Sequence, residues 1–303
     1  MMKKLSTLIL FILAVSSLQA QLDPLYNQYQ FNQLMVNPAY AGIYNRFSAS
    51  LISRLNWVGI EGAPVTNTLT VQSAFKDGRI GLGALLIDDR LGVNSNVETS
   101  ITASYNIQFS ESKLAMGIQG GLTNYRYDLS RLTLDFVDDE RLNTGLDNYS
   151  EPNFGAGILY MNPVFFAGLS IPRLRELNVD DGVANSTRYK RHYYISAGYF
   201  YDFSQLTQYK ITTLMRYVEG GDISVDLAVS TYIDQVIWAG LTARDLKHFG
   251  LFMNLEIGKN LMLGYAFELP TSTLIIGNYG THEISIALDL PNKSSGPLSK
   301  RRF

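Results

Sequence analysis

The stretch NVETSITASYNIQF, from Asn96 to Phe109, carries the pattern that decides the fold of this chain. Its odd-numbered positions hold side chains that lipid tolerates, namely Val97, Thr99, Ile101, Ala103, Tyr105, Ile107 and Phe109. Its even-numbered positions are all polar, namely Asn96, Glu98, Ser100, Thr102, Ser104, Asn106 and Gln108. Alternation with a period of two predicts a β-strand, and the run is about twice as long as a common globular strand. Such a strand fits either a bilayer with a hydrocarbon core of roughly 30 Å or a soluble β-sandwich.

The composition of the 303-residue chain favours the membrane alternative. Charged residues make up 17%, against about a quarter in soluble globular domains, and the 19 Tyr, 15 Phe and 25 Gly suit the aromatic girdles and close packing of a barrel. The net charge of −2 gives no general attraction to nucleic acid, which we do not expect as a partner. The chain contains no cysteine, which excludes disulfides, thiolate metal sites and cysteine catalysis.

Residues 1–20, MMKKLSTLILFILAVSSLQA, have the features of a secretory signal peptide. The basic start is at Lys3 and Lys4, an apolar centre follows, and a small-residue cleavage signal ends at Ala20, so we expect cleavage before Gln21. No later segment reaches about 18 apolar residues. An exported chain with long amphipathic strands therefore indicates a closed barrel in the outer membrane of a Gram-negative bacterium, where closure satisfies every backbone polar group in lipid.

Fourteen strand-like runs follow, and they predict an all-β, transmembrane antiparallel barrel of about 14 strands. The runs are Arg46–Asn56, Val65–Phe75, Arg79–Asp88, Asn96–Phe109, Lys113–Arg126, Asn153–Met161, Val164–Ile171, Tyr189–Phe203, Tyr209–Val218, Ile223–Ile233, Gln235–Ala243, Lys247–Ile257, Leu261–Leu269 and His282–Leu290. Every second connection is short. The alternate connections are mostly longer, namely Trp57–Pro64, Asp89–Ser95, Tyr127–Pro152, Pro172–Arg188 and Pro270–Thr281. Short periplasmic turns facing longer outer loops are typical of transmembrane barrels, and an even strand number predicts that both termini are periplasmic.

The predicted organisation has four parts. A signal peptide (1–20) precedes a short periplasmic lead-in or plug (21–45), the barrel itself (46–290) and a flexible basic periplasmic tail (291–303). The segment before the barrel is rich in Asn, Gln and Tyr, and either a plug or a simple lead-in is compatible with it. The tail either binds a periplasmic partner or anionic lipid head groups, or is merely solvated.

The chain has no sequence pattern for catalysis or for a cofactor. It lacks a GxSxG nucleophile elbow, an HExxH motif and a phosphate-binding glycine loop. The histidines His192, His248 and His282 are far apart in sequence, and alternation places His192 on the inner wall. The acidic run Asp138-Asp139-Glu140 does not have EF-hand spacing. We therefore expect neither enzyme activity, nor a cofactor, nor a metal.

Several sequence blocks together resemble one known family, the PorP/SprF outer-membrane proteins of Bacteroidetes. The blocks are Asp23-Pro24, Gln28-Tyr29, Asn37-Pro38-Ala39-Tyr40-Ala41-Gly42, Arg54, Trp57, Gly59-Ile60, Glu61-Gly62-Ala63-Pro64, Asp88 with Gly92, Gly168-Leu169-Ser170, Arg191-His192-Tyr193-Tyr194, Ala197-Gly198-Tyr199 and His282-Glu283-Ile284. The Asn-Pro-Ala-Tyr-Ala-Gly block and the Trp…Gly-Ala-Pro block are the most specific. The resemblance covers essentially the whole mature chain.

This resemblance implies a role in the type IX secretion system and in gliding motility. Members of the family are barrels that work with the secretion machinery, receive exported clients such as large adhesins through a C-terminal secretion domain, and hold them at the cell surface. Some members also connect to periplasmic, peptidoglycan-associated components. The implied partners are therefore a secreted client, secretion-system components and outer-membrane lipid.

Seven residues are candidates for binding a partner. The first outer loop, the longest predicted outer loop and the tail provide them, and they are Trp57, Ile60, Pro64, Phe136, Tyr149, Arg301 and Arg302. Trp57 suits either the anchor of a protein interface or a girdle residue at the level of the lipid head groups. Loops of the predicted length are usually functional or disordered.

The rival hypothesis is a porin or a hydrophobic-solute channel. A channel requires an open lumen, whereas many inward positions of the predicted strands are Tyr, Phe or Gly rather than charged. This pattern indicates a filled interior.

Overall fold

The computed structural model describes residues 26–128, 146–180, 185–271 and 277–291. Its strands, in chain order, are β1 (Arg46–Leu55), β2 (Val65–Phe75), β3 (Ile80–Leu91), β4 (Asn94–Gln108), β5 (Lys113–Asp128), β6 (Leu146–Met161), β7 (Phe165–Ile171), β8 (Leu177–Asp180), β9 (Asn185–Tyr189), β10 (His192–Asp202), β11 (Thr207–Val218), β12 (Ile223–Ile233), β13 (Ile237–Arg244), β14 (His248–Ile257), β15 (Leu261–Pro270) and β16 (Thr281–Pro291). Fourteen of these strands form a closed barrel, while β8 and β9 pair only with each other.

The barrel closes between its first and last strands. β1 pairs with β16 in antiparallel register from Arg46 opposite Pro291 to Leu55 opposite His282. Every other neighbouring pair is also antiparallel, and the strands follow chain order apart from the excluded hairpin β8–β9. Each of the fourteen predicted runs corresponds to one barrel strand, so the predicted fold class is confirmed.

Strand β4 shows why alternation produces this architecture. Its even-numbered side chains from Asn96 to Asn106 are buried, and Thr102 has no exposed surface. Its odd-numbered side chains point outward, and Ile101 is 72% exposed. The outward face is the one that lipid tolerates, so the predicted assignment of the two faces of this strand is confirmed.

The two ends of the barrel differ in their connections. At the turn end, the strands are joined through residues 76–79, 109–112, 162–164, 203–206, 234–236 and 258–260. The opposite end, which we call the loop end, carries connections that include 56–64, 172–191 and 271–280. Three other loop-end connections are short, namely 92–93, 219–222 and 245–247, so the long connections occur only at the loop end but are not all of its connections.

Three predicted boundaries at the loop end are wrong. β3 and β4 continue until only residues 92–93 join them, so the predicted loop Asp89–Ser95 is a tight turn. β5 runs to Asp128 and β6 begins at Leu146, so Tyr149 lies on a strand and not in a loop. The hairpin β8–β9 interrupts the predicted strand Tyr189–Phe203 and occupies part of the loop before it. Above the lipid both faces of a strand meet water, so backbone pairing continues without the apolar alternation that marks it in the sequence.

Ile101→Arg tests the membrane face directly. We expect this change to lower the free energy of unfolding in lipid vesicles by about 2–4 kcal/mol, because it places a cation on the lipid face near the middle of β4. Ile101→Leu is the matched control and should change stability little. Both variants are titrated with urea, and heat-modifiable gel mobility measures the folded fraction at each concentration. Equal stabilities for the two variants would contradict the assignment of this face to lipid.

Candidate functional site

Residues 26–45 occupy the interior of the barrel. They form three short 3-10 helices, Tyr29–Phe31, Gln33–Met35 and Pro38–Tyr40. No helix within the described residues is long and apolar enough to span a membrane. Side chains along the segment are almost completely buried, including Gln28 (0% exposed) and Tyr40 (1%). We call this segment the plug, because its side chains and backbone fill the described lumen.

Glycines in the wall allow the plug backbone to approach the strands closely. A Cβ atom at Gly81 in β3 would lie 1.9 Å from the carbonyl oxygen of Ala41. A Cβ atom at Gly117 in β5 would lie 2.3 Å from the carbonyl carbon of Pro38 and 2.4 Å from the nitrogen of Ala39. These distances are far below van der Waals contact, so only glycine fits at these two positions of the wall.

Asn37 also joins the plug to the wall. Its side-chain oxygen accepts the Ala39 N–H at 2.9 Å and caps the third 3-10 helix, and Pro38 occupies the first helical position. Its amide nitrogen donates to the Ile158 carbonyl of β6 at 3.1 Å. Gly157 provides the space for the Asn37 side chain, because a Cβ at this position would lie 2.1 Å from the Asn37 side-chain oxygen. The Asn-Pro pair therefore forms both a turn and an anchor.

A cluster of five buried charged side chains lies in the wall toward the loop end. Arg54 forms ion pairs with Glu283 and with Glu268, the second at 2.9 Å. Arg244 pairs with Asp226 at 2.6 Å and with Glu268 at 3.4 Å. We call these five residues the ionic cluster. Their mutual pairing offsets the cost of removing the charges from water.

The ionic cluster holds the first residues of the plug. The carboxylate of Glu283, which has no exposed surface, accepts the backbone N–H of Asn27 at 2.7 Å and of Gln28 at 3.0 Å. One carboxylate therefore satisfies two buried backbone donors while it pairs with Arg54. Arg54 also donates to Asn56 in the first loop at 2.8 Å. The loop, the wall and the plug meet at this point.

A buried lysine holds the middle of the plug. The ammonium of Lys210, which has no exposed surface, donates to the Gln30 carbonyl at 3.3 Å. It lies 4.9 Å from the ring centroid of Phe31 and 5.5 Å from that of Trp238. Aromatic faces attract a cation, so Lys210 binds the plug through the Gln30 carbonyl and the Phe31 ring.

At the loop end, the first loop is tied to the last one. The Val58 N–H donates to the Gly280 carbonyl at 2.9 Å, and the Tyr279 N–H donates to the Val58 carbonyl at 2.7 Å. The Tyr279 ring lies against Gly59, where a Cβ would come within 2.9 Å of it. The Gly92 N–H donates to the Gly62 carbonyl at 2.9 Å, which ties the loop to the β3–β4 turn.

This packing brings some of the predicted partner-binding residues together. Trp57 is half-buried with a left-handed φ of 45°, and its N–H donates to the Thr281 hydroxyl at 3.3 Å. Ile60 is 40% exposed, and Tyr279, which the sequence did not single out, is 76% exposed. We call Trp57, Ile60 and Tyr279 the loop face. No local sequence motif links Tyr279 to the first loop, because Gly59, against which its ring packs, is about 220 residues away in the sequence.

The other candidates lie elsewhere. Pro64 is half-buried, and its carbonyl accepts the Asn56 N–H at 2.9 Å, which closes the first loop. Tyr149 is half-buried opposite Tyr125, five strands around the barrel from β1. The remaining candidates are outside the described residues, namely Phe136, Arg301 and Arg302.

Two of the three histidines, His192 and His282, make ordinary polar contacts. His192 is buried, as predicted for a wall residue, and its Nδ1 lies 2.8 Å from the Lys190 carbonyl. The Nδ1 of His282 lies 2.8 Å from the Tyr265 hydroxyl. Within the described ranges, no group of three or more His, Asp or Glu residues is placed to hold a metal ion.

Inward positions of the described strands include glycine and aromatic side chains, as predicted, but they also include ten buried charged side chains. The buried charged side chains are Arg46, Arg54, Glu98, Lys210, Arg216, Asp226, Arg244, Glu268, Glu283 and Asp289. The sequence carried a usable signal, since Arg54 and Glu283 occupy inward positions of the first and last strands, which must meet when the barrel closes. The filled lumen results from the plug and these ion pairs, not from aromatic side chains alone.

Together these features define an outer-membrane β-barrel whose lumen is filled by its own amino-terminal segment. The chain belongs to the PorP/SprF family, described as type IX secretion system membrane proteins, whose sequence profile matches residues 18–288. The family predicted from the sequence blocks is therefore confirmed.

Three solved structures are similar to the chain at low sequence identity. Omp33 of Acinetobacter baumannii has 8% identity and a TM-score of 0.48, with 82% of this chain and 100% of that chain covered. The CymD monoaromatic hydrocarbon channel has 12% identity and a TM-score of 0.46, covering 88% and 91%. The KdgM porin has 9% identity and a TM-score of 0.40, covering 80% and 97%. No curated protein matches the chain.

Proposed function

We propose that this protein is a non-enzymatic outer-membrane barrel that binds an exported client through the client's C-terminal secretion domain and helps deliver it to, or anchor it at, the cell surface, including in gliding motility. The observation that carries the proposal is the plugged lumen. Because residues 26–45 fill the described interior, the surfaces left for a partner are the two ends of the barrel. Membership of a type IX secretion family supports a secreted protein as that partner.

The loop face is the surface that we assign to the client. Transmembrane barrels direct their longer loops outward, so the loop end faces the cell exterior. Hydrogen bonds to Gly280 and Gly92 hold the first loop in place, which lowers the conformational entropy lost on binding. An exposed aromatic ring beside an exposed aliphatic side chain, here Tyr279 and Ile60, is the kind of anchor that concentrates binding energy in protein interfaces.

The turn end faces the periplasm in this proposal. The chain leaves the barrel there after β16, which ends at Pro291. We assign the basic tail, with Arg301 and Arg302, to contact with periplasmic components of the secretion system or with anionic head groups. This assignment rests on charge alone and is tested by removing residues 292–303.

Removal of the loop face should weaken client binding strongly. We expect the triple variant Trp57→Ala, Ile60→Ser, Tyr279→Ala to recover at least about tenfold less of an exported protein with a C-terminal type IX secretion domain, because each anchor side chain is worth about 1–2 kcal/mol. The measurement is affinity purification of the barrel from its native membrane, followed by quantitative mass spectrometry. Heat-modifiable mobility verifies that the variant is folded.

Leu246→Ser provides the matched control. Leu246 is an equally accessible apolar residue (74% exposed) in the loop-end turn between β13 and β14, away from the first loop. Its replacement should leave client recovery unchanged. Equal losses in both variants, or no client with the wild-type barrel, would overturn the proposed function.

The rival is a porin or hydrophobic-solute channel, since the KdgM porin and the CymD monoaromatic hydrocarbon channel are among the similar structures. A channel needs an open path, and the plug occupies it. A steady large conductance from the purified wild-type protein in planar bilayers would favour the channel.

A further inference from the structure

Lys210 is a buried cation for which the described part of the chain provides no carboxylate. Its side chain has no exposed surface, and none of the ion pairs among the described residues includes it. The ammonium donates to the Gln30 carbonyl at 3.3 Å and lies 4.9–5.8 Å from the ring centroids of Phe31, Phe200 and Trp238. A carbonyl and aromatic faces offset only part of the cost of burying an ammonium, because none of them carries a full negative charge.

Other cations of the wall are arranged differently. Arg54 and Arg244 each pair with two carboxylates of the ionic cluster, and Arg46 lies 3.4 Å from a carboxylate oxygen of Asp289. Lys113, which also donates to a plug carbonyl, is only partly buried and therefore reaches water. The charge of Lys210 has neither of these two ways of being compensated within the described residues.

Several buried polar atoms close to Lys210 have no hydrogen-bond partner among the described residues. They are the Ser230 hydroxyl, the Trp238 indole nitrogen, and both polar side-chain atoms of Asn254 and of Gln30. Each of these four side chains belongs to a residue that is at most 3% exposed. Buried polar atoms normally have partners, so a group of six in one place indicates that a small molecule or ion bonds to them.

The strand register places these groups side by side on the inner face of the wall. Ser230 of β12 is directly opposite Lys210 of β11, and Trp238 of β13 is directly opposite Asn254 of β14. Opposed residues of an antiparallel pair have Cβ atoms about 4.5–5.5 Å apart. The Lys210 ammonium contacts both the Trp238 ring and Gln30 of the plug, so it joins the two pairs to each other. We call these five residues the lysine site.

The lysine site is rich in hydrogen-bond donors. The ammonium, the indole N–H and the hydroxyl all donate, and each of the two side-chain amides carries an NH₂ group. Water would satisfy these hydrogen bonds, but only an anion would also neutralise the buried ammonium. Because every residue of the site is almost completely buried, a macromolecule cannot reach it. The chemistry therefore selects a small anion.

A cavity at the turn end lies next to the lysine site. Its volume is about 460 Å³, and its lining includes Gln208 and Tyr232. Gln208 lies two residues before Lys210 on β11, on the same inward face, and the Tyr232 ring is stacked on Trp238 with centroids 4.5 Å apart. The lining also includes the Asp202 carboxylate, which accepts a hydrogen bond from Gln208 at 2.6 Å. A small ion therefore has a short route from the turn end to the site.

We propose that the lysine site binds one small monovalent anion, such as chloride, between the plug and the wall. The anion accepts hydrogen bonds from the ammonium, the hydroxyl, the indole N–H and the two amides. It links Gln30 of the plug to four neighbouring strands, β11 to β14. The stability of the plugged barrel therefore depends on the anion concentration. This inference goes beyond client binding and does not rest on it.

The test measures urea unfolding of the whole mature protein in lipid vesicles, with chloride replaced by gluconate at constant ionic strength. An ion that binds only the folded state raises the folded-to-unfolded ratio at one urea concentration by up to about tenfold for each tenfold rise in its concentration. We expect this rise for chloride in the wild type. We expect none in Lys210→Met, which keeps the length of the side chain and removes its charge.

Two matched controls separate the site from general effects on the plug. Lys113→Met removes the other lysine that donates to a plug carbonyl, at 2.9 Å from Ile43. Ser104→Ala removes an inward serine whose hydroxyl donates to the Ala41 carbonyl at 2.6 Å. Both controls should retain the full dependence on chloride. Ser230→Ala should need several times more chloride than the wild type for the same stability.

Bromide soaked into crystals of the wild type locates the ion directly. We expect an anomalous peak within hydrogen-bond distance of the Lys210 ammonium. Stability that does not depend on chloride in the wild type, an equal dependence in Lys210→Met and Lys113→Met, or a map without a peak at the lysine site overturns the proposal. If Lys210→Met does not fold, Ser230→Ala and the bromide map decide. Client recovery is measured separately, so failure here leaves the proposed function standing.

Discussion

Replacing Glu283 by Ala is expected to lower the free energy of unfolding of the barrel by about 3–5 kcal/mol. The carboxylate has no exposed surface and accepts the backbone N–H groups of Asn27 and Gln28 while it pairs with Arg54. Its loss leaves two buried donors without an acceptor, each costing about 1–3 kcal/mol, and removes half of the counter-charge of a buried guanidinium. Most of this loss in stability comes from the hydrogen bonds that Glu283 accepts from the plug backbone.

Glu151→Ala is the matched control for this change. Glu151 also pairs with an arginine, Arg175, at 3.2 Å, but the two side chains are 41% and 53% exposed. Exposed pairs contribute less than about 1 kcal/mol, so the control should be nearly as stable as the wild type. Urea unfolding followed by heat-modifiable mobility and by the fluorescence of Trp238, which packs beside Phe31 of the plug, measures both variants. Similar losses for the two variants would contradict the anchoring role of Glu283.

Replacing Gly117 by Ala is expected to unseat the plug and open the lumen. The added Cβ would lie 2.3 Å from the Pro38 carbonyl carbon and 2.4 Å from the Ala39 nitrogen, so backbone must move. The wall is the more rigid partner, because β5 is hydrogen-bonded to β4 and β6 along its length. We expect a loss of about 1–3 kcal/mol in the free energy of unfolding and a steady ion conductance in planar bilayers, whereas we expect none from the wild type.

Gly120→Ala on the same strand separates this effect from a general effect on glycine. A Cβ at Gly120 would meet its nearest neighbour, the ring of Phe154, at 3.6 Å, an ordinary contact. This variant should remain closed and stable. A closed Gly117→Ala barrel, or a Gly120→Ala barrel that conducts as well, would show that close packing of the plug does not close the lumen.

The membrane part of the fold could be predicted from the sequence almost to the residue. The predicted runs Val65–Phe75 and Ile223–Ile233 match β2 and β12 at both ends. In lipid, one face of every strand must be apolar, so the alternation in the sequence records the strand directly. At the loop end this requirement disappears, and there the predicted start of β6 at Asn153 is seven residues later than the observed start at Leu146.

The candidate site was only partly accessible from the sequence. The first loop, with Trp57 and Ile60, was predicted at the outer end because loop length and residue type are local properties. Its partner Tyr279 and the ion pair between Arg54 and Glu283 join parts of the chain more than 200 residues apart. Only closure of the barrel through β1 and β16 brings those parts together.

By itself, the sequence determined that the chain forms a barrel of fourteen strands, because lipid imposes the same two-residue period on every one of them. Only the tertiary structure decided that the plug fills that barrel and in which direction the plug runs through it. The plug has no period, and its course is set by contacts that exist only after closure: Gly117 and Gly81 give it room, while Glu283 and Lys210 bind its backbone. A local pattern cannot encode such contacts, since they depend on which distant strands become neighbours.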